Sequence, residues 1–119
     1  MEAQEGMLEM QTNMITGPWF RWFLTYDPRP TLAKVKCPVL AITGEKDLQV
    51  DPDQNLPEIE KALTAGNHGN FVVKELPGLN HLFQTCSTGS IAEYGQIEET
   101  ISPVALEEIG TWIVKQTSP

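Results

Sequence analysis

Pro38-Val39-Leu40-Ala41-Ile42-Thr43-Gly44 is an unbroken apolar run closed by a glycine. Its length and β-branched content predict a strand buried on both faces, of the kind found in parallel sheets. After it, residues 45–55 are polar and carry Pro52, which predicts a loop. Residues 56–65 read as a helix. Pro57 lies in its first turn, Ile59, Ala62 and Leu63 form its apolar stripe, and Gly66 stops it. Asn67-His68-Gly69-Asn70 is a turn, and Phe71-Val72-Val73-Lys74-Glu75-Leu76 is a second strand closed by Pro77-Gly78. A strand-helix-strand connection of this length implies parallel pairing with a right-handed crossover.

Beyond the second strand, residues 79–99 read as a long loop with one helical turn near residues 91–94. Ser102-Pro103 then opens a last helix over residues 104–116. Leu106, Ile109, Trp112 and Ile113 are its expected apolar face. Toward the N-terminus, residues 31–36 suggest one helical turn. Trp19-Phe20-Arg21-Trp22-Phe23-Leu24 suggests a helix opened by Pro18 and ended near Tyr26-Asp27 by Pro28 and Pro30. Its aromatic cluster reads as core or inter-segment packing. Met7, Leu8, Met10, Met14 and Ile15 recur at helical spacing over residues 2–15, and Gly17-Pro18 breaks that helix. The fold class is α/β: a partial parallel sheet of two clear strands, flanked by helices, in one domain over residues 1–119. Residues 1–17 form its N-terminal helix and 18–116 its α/β segment. Two strands leave both sheet edges unpaired, a poor stand-alone design.

Sixteen acidic residues against eight basic ones give a net charge of −8. That excludes a non-specific nucleic-acid binder, which needs a basic stripe. No apolar run approaches the ~20 residues that span a bilayer, so no membrane partner is expected. Residues 1–6 are acidic, with no basic n-region or apolar h-region, and predict no signal peptide. Two cysteines, Cys37 and Cys86, are too few for a disulfide framework and read as free thiols in a reducing, cytoplasmic compartment.

In open parallel sheets, reactive groups gather beyond the carboxyl ends of the strands. The loop after the first strand offers Glu45, Asp47, Asp51 and Asp53; the loop after the second offers Asn80 and His81. Adjacent parallel strands bring both loops to one edge, where Asp47 can meet His81. A carboxylate beside an imidazole is the orienting pair of a nucleophilic triad. The competing reading of Asp47 is a loop-capping carboxylate, and that of His81 a hydrogen-bonded loop residue. His68 reads as an exposed turn residue. Asp51 and Asp53 read as a solvated loop, without the glycine and terminal Glu of a calcium loop. Nothing marks Cys86 as an activated thiol.

Residues 35–47, Val-Lys-Cys-Pro-Val-Leu-Ala-Ile-Thr-Gly-Glu-Lys-Asp, resemble the penultimate strand and acid loop of an α/β hydrolase. Leu76-Pro77-Gly78-Leu79-Asn80-His81-Leu82-Phe83 resembles the end of its last strand and the histidine loop, and residues 102–113 its final helix. Residues 19–30 are similar to the segment before the penultimate strand in bacterial serine peptidases and esterases. The resemblance covers residues 18–116. It implies Asp47 as triad acid and His81 as base, in the family's Ser-acid-His chain order, with no cofactor or metal. A G-x-S-x-G elbow is absent. Ser87, Ser90, Ser102 and Ser118 are the only serines, and none lies on a strand-to-helix turn with the required glycines. The expectation is the C-terminal portion of a serine hydrolase, acting on a small ester or peptide in the full-length parent and inactive alone. The alternative is a non-catalytic module that forms a homo-oligomer through its sheet edge or its apolar N-terminal helices.

Overall fold

A computed structural model describes residues 2–118, with side chains described from residue 6. Met1 and Pro119, the ends of the expected single domain, lie outside the described residues. The chain is mixed α/β. Strand β1 (Val39–Gly44) and strand β2 (Phe71–Leu76) pair in parallel, from Val39 opposite Phe71 to Gly44 opposite Leu76. Helix α4 (Pro52–Ala65) makes the crossover between them. Three helices precede β1: α1 (Glu2–Thr16), α2 (Pro18–Thr25) and α3 (Arg29–Leu32). A 3-10 segment, Ile91–Gln96, and helix α5 (Pro103–Thr117) follow β2.

The register sorts the sheet's two faces. Ile42, Lys74 and Leu76 share one face. Ala105 of α5 joins Leu76 and Leu79 in the buried core, with Ile42, Phe83 and Ile101 against them. Lys74 pairs with Glu108 on that same face. Helix α4 packs on both strands and takes the opposite face, burying Leu56, Ala62 and Leu63. Ser102 caps α5 as expected: its hydroxyl accepts from Val104 N–H, and its own N–H donates to Phe83 O at 2.7 Å.

Three expectations change. Helix α4 begins at Pro52, not near residue 56. Asp51 caps it by accepting from Asp53 N–H at 2.9 Å, and Pro52 takes the first helical position, where its missing N–H costs nothing. At the other end of α4, Gly66 caps the helix as expected, at φ −78°, and Asn67 beyond it takes the left-handed conformation (φ 52°). The single turn before β1 starts at Arg29, two residues early. Strand β1 is only half-buried from Val39 to Ile42, because one of its edges has no neighbour.

The apolar stripes are covered less than their periodicity implies. In α5 only Ala105 is buried; Leu106 and Ile113 are about half exposed. Two strands offer too little surface to cover the whole helix face. In α2 the rings stack on one another, Trp19 on Phe23 at 5.5 Å and Trp22 on Tyr26 at 4.8 Å. They do not enter the core: Trp19 stays 67% exposed and Trp22 55%. The molecule is elongated, 63 × 36 × 25 Å.

Candidate functional site

Strand β1 ends in a tight turn. Asp47 N–H donates to Gly44 O at 3.1 Å, which turns the chain back over the sheet edge. Glu45 N–H donates to Leu76 O and Lys46 N–H to Leu79 O, both at 2.9 Å, so the ladder between the strands continues into both loops. The Glu45 carboxylate accepts from Gly78 N–H at 2.6 Å. Gly44 makes this approach possible: a Cβ there would stand 2.3 Å from Leu79 O and 2.6 Å from Asn80 O.

The histidine loop folds back on itself. Leu79 and Thr85 form an antiparallel bridge, and Asn80 N–H donates to Gln84 O at 3.0 Å. Inside it, Asn80 is fully buried. Its side-chain oxygen accepts from Leu82 and Gln84 N–H, and its amide donates to Gln84 Oε1. Phe83 carries a positive φ of 56° and is held by Ser102 N–H on its carbonyl. An L side chain there costs energy that surrounding contacts must offset.

The two loops deliver Asp47 and His81 to each other. His81 Nδ1 lies 2.9 Å from Asp47 Oδ2. The other carboxylate oxygen accepts from Gln49 N–H at 2.9 Å and Val50 N–H at 2.8 Å. Asp47 therefore caps its own loop and orients the imidazole with the same side chain. Its side chain is 5% exposed and that of His81 is 36% exposed. Burial pushes the Asp47 carboxyl up. The hydrogen bonds from Val50 N–H, His81 and Gln49 N–H outweigh burial and hold it below the ordinary carboxylate range. The ionised carboxylate accepts, so Nδ1–H is the donor of this contact. Among the described residues, no hydrogen bond engages Nε2.

A second layer, unmarked by any sequence motif, braces the acid loop. Lys46 Nζ donates to Cys86 O and Ser87 O, at 3.3 and 3.1 Å. Gln49 donates to Tyr94 Oη at 2.9 Å. Gly89, at φ 76°, presses its backbone on Lys46, where a Cβ would stand 2.0 Å from Lys46 O. Glu93 gathers the loop by accepting from the N–H groups of Ser87, Thr88 and Gly89 and from the Thr88 hydroxyl. Backbone donors at Thr88 and Ser87, then the Thr88 hydroxyl, pull its pKa down to about 2.

Among the described residues, the remaining candidates make no hydrogen bond to His81. Asp51 is spent as the cap of α4. Asp51, Asp53, Glu45 and Glu75 join Asp47 around an acidic hollow of about 430 Å³. Among the described residues, no group of three His, Cys, Asp or Glu side chains is placed to hold a metal ion. His68 is not a free turn residue: its Nε2–H donates to Cys37 O at 2.7 Å and its Nδ1 accepts from Asn70 N–H. Both cysteines are free, and Cys86 Sγ leans on Gly78 O, not on His81. The hydroxyls of Ser90, Ser102 and Ser118 are engaged in capping or helix-end hydrogen bonds. No helix among the described residues is long and apolar enough to cross a membrane. Set against protein-family models, curated proteins and solved structures, the chain matches none.

Gly44→Ala is expected to cost about 2 kcal/mol, within the range that overpacking imposes, as a lower urea midpoint. It should also abolish the His81–Asp47 contact in NMR spectra, since the histidine loop must lift to admit a methyl group. The Glu93 brace should fail in acid. A depressed carboxyl contributes stability fully above its unfolded value, near 4.5, and loses it as pH falls toward about 2. The amide shifts of Ser87, Thr88 and Gly89 should titrate together with a midpoint near 2, and Glu93→Gln should remove that transition.

Proposed function

We propose that Asp47 and His81 are the acid and base of a serine-hydrolase relay whose nucleophile comes from a segment other than the 119 residues described by this sequence. The chain is then the C-terminal part of an α/β-hydrolase-like enzyme acting on a small ester or peptide. The observation that carries this reading is the 2.9 Å contact between a buried carboxylate and Nδ1 of a partly exposed imidazole. In such a relay Asp47 fixes the Nδ1–H tautomer and stabilises the imidazolium. His81 Nε2 takes the proton of the attacking hydroxyl, then returns it to the leaving group. A buried carboxylate that only capped its loop would need Gln49 and Val50 N–H alone. Its second oxygen is committed to His81.

Without its hydroxyl the chain has no covalent route, and losing the nucleophile of a serine relay costs roughly six orders of magnitude in turnover. The chain alone is expected to give no burst with p-nitrophenyl acetate; a burst abolished by a serine-reactive phosphonate would show that it holds its own nucleophile. The pair has a readout independent of turnover. Nitrogen-15 NMR should find His81 as the Nδ1–H tautomer, and Asp47→Asn should shift it toward a mixture. A predominant Nε2–H form in the unmodified chain would overturn the assignment.

A second, compatible reading concerns association. Trp19, Trp22, Phe23 and Leu24 are each more than half exposed on α2. Apolar surface of this density favours burial against another molecule, and a second copy through α1 and α2 is the proposed partner. Sedimentation should show a concentration-dependent dimer at tens of micromolar, dispersed by the double change Trp22→Glu and Phe23→Glu. A monomer at high micromolar concentration would exclude it.

A further inference from the structure

The two edges of the sheet are not alike. Strand β2 carries Lys74 and Glu75 at its carboxyl half, the sort of charges that blunt an outermost strand. Strand β1 carries no charge from Val39 to Gly44, yet its outer edge is unpaired. Along that edge runs a slot of about 630 Å³. Leu40, Ala41, Ile42 and Thr43 all line it. Successive strand residues point to opposite faces, so a space that touches all four lies at the strand's edge. Val50 and Ile59 wall it on the α4 side, and Ile109 and Trp112 on the α5 side.

We infer that this slot is a docking site for one β-strand of another polypeptide segment, about six residues long and apolar on both faces. Three observations define the occupant. The unpaired main-chain groups of β1 call for a strand, since only an extended backbone answers a row of donors and acceptors at that repeat. Apolar walls on both sides require apolar side chains at both odd and even positions. The carboxyl end of β1 opens on Glu45, Asp51, Asp53 and Glu75, in a chain of net charge −8, so basic residues suit the end that meets them. A second copy of β1 shares the apolar faces but carries no basic residue within its six positions, and it is the competing occupant that the test below distinguishes. The inference uses neither Asp47 nor His81 and stands apart from the reading of the dyad.

The test uses the full chain and a fluorescent peptide, Val-Ile-Val-Leu-Val-Ile flanked by two lysines at each end. Its control carries the same residues N-methylated at alternate positions, which removes the hydrogen bonds of one edge. Saturable binding is expected by anisotropy, with amide shifts and slowed exchange at residues 40–44. The N-methylated peptide should bind about tenfold more weakly or worse. Ile59→Asp should weaken binding similarly, while Val114→Asp should not. Equal binding of the two peptides, or shifts located elsewhere, would overturn the site. So would a dimer of the chain alone that already protects the β1 amides, because the occupant would then be a second copy. Should Ile59→Asp fail to fold, the comparison of the two peptides on the unchanged chain still decides.

Discussion

At Gly44 two backbones come closer than any side chain would permit. The carbonyls of Leu79 and Asn80 lie where a Cβ would be, and the histidine loop therefore rests directly on the turn that carries Asp47. Parallel pairing brings the strand ends to one edge, but only to within the spacing of strands. The last approach is made by Lys46 N–H on Leu79 O and Gly78 N–H on Glu45. Both bonds need the loops in contact, and the 2.9 Å separation of Asp47 and His81 follows from that contact.

Holding Asp47 there has a thermodynamic cost. A carboxylate with 5% of its side chain exposed has given up most of its water, and burial pushes its pKa up. Three hydrogen bonds reverse the balance, two from backbone N–H groups and one from the imidazole. The two backbone donors depend in turn on the shape of residues 47–50, which Lys46, Gln49 and Gly89 brace against residues 86–94. Glu93 thus acts on Asp47 through loop geometry at a distance, with no contact between the two side chains. A larger core could hold such a loop by packing. Here the core at this edge is three buried residues, Leu76, Leu79 and Ala105, and polar cross-links take over that role.

These relations explain which features could be read from the chain beforehand. The apolar run ending in Gly44, and the second run ending in Leu76, mark both strands because β-branched residues between turn residues have few other uses. With the strands known, topology brings the loops of Asp47 and His81 to one sheet edge, while their final contact depends on the loop packing at Gly44. Ser102-Pro103 marks the start of α5 through capping chemistry that acts within three residues. Pro52 was misleading in isolation: proline ends one element and opens another, and Asp51 decides between them. Periodicity identified which residues of α2 and α5 are apolar but could not say whether anything covers them, since cover belongs to the neighbour. The network of Asn80 with Gln84, and that of Glu93 with residues 87–89, have no period and no motif. They depend on side chains meeting backbone groups of loops whose shape is itself the unknown.

The uncovered surfaces share a cause. An apolar strand is stable in water when neighbours satisfy both its edges and both its faces. Strand β1 has both faces attended, by α4 and α5, and one edge by β2. Its other edge is the one place where polar backbone lies exposed between apolar walls, which is the condition that favours strand addition over a flat hydrophobic contact. A strand seated there in the direction of β1 would end on the same side of the sheet as the loops that follow β1 and β2. The polar cross-links around Asp47 require no such strand, because they close among residues 44–94. The Asp47–His81 contact can therefore be rigid before anything docks.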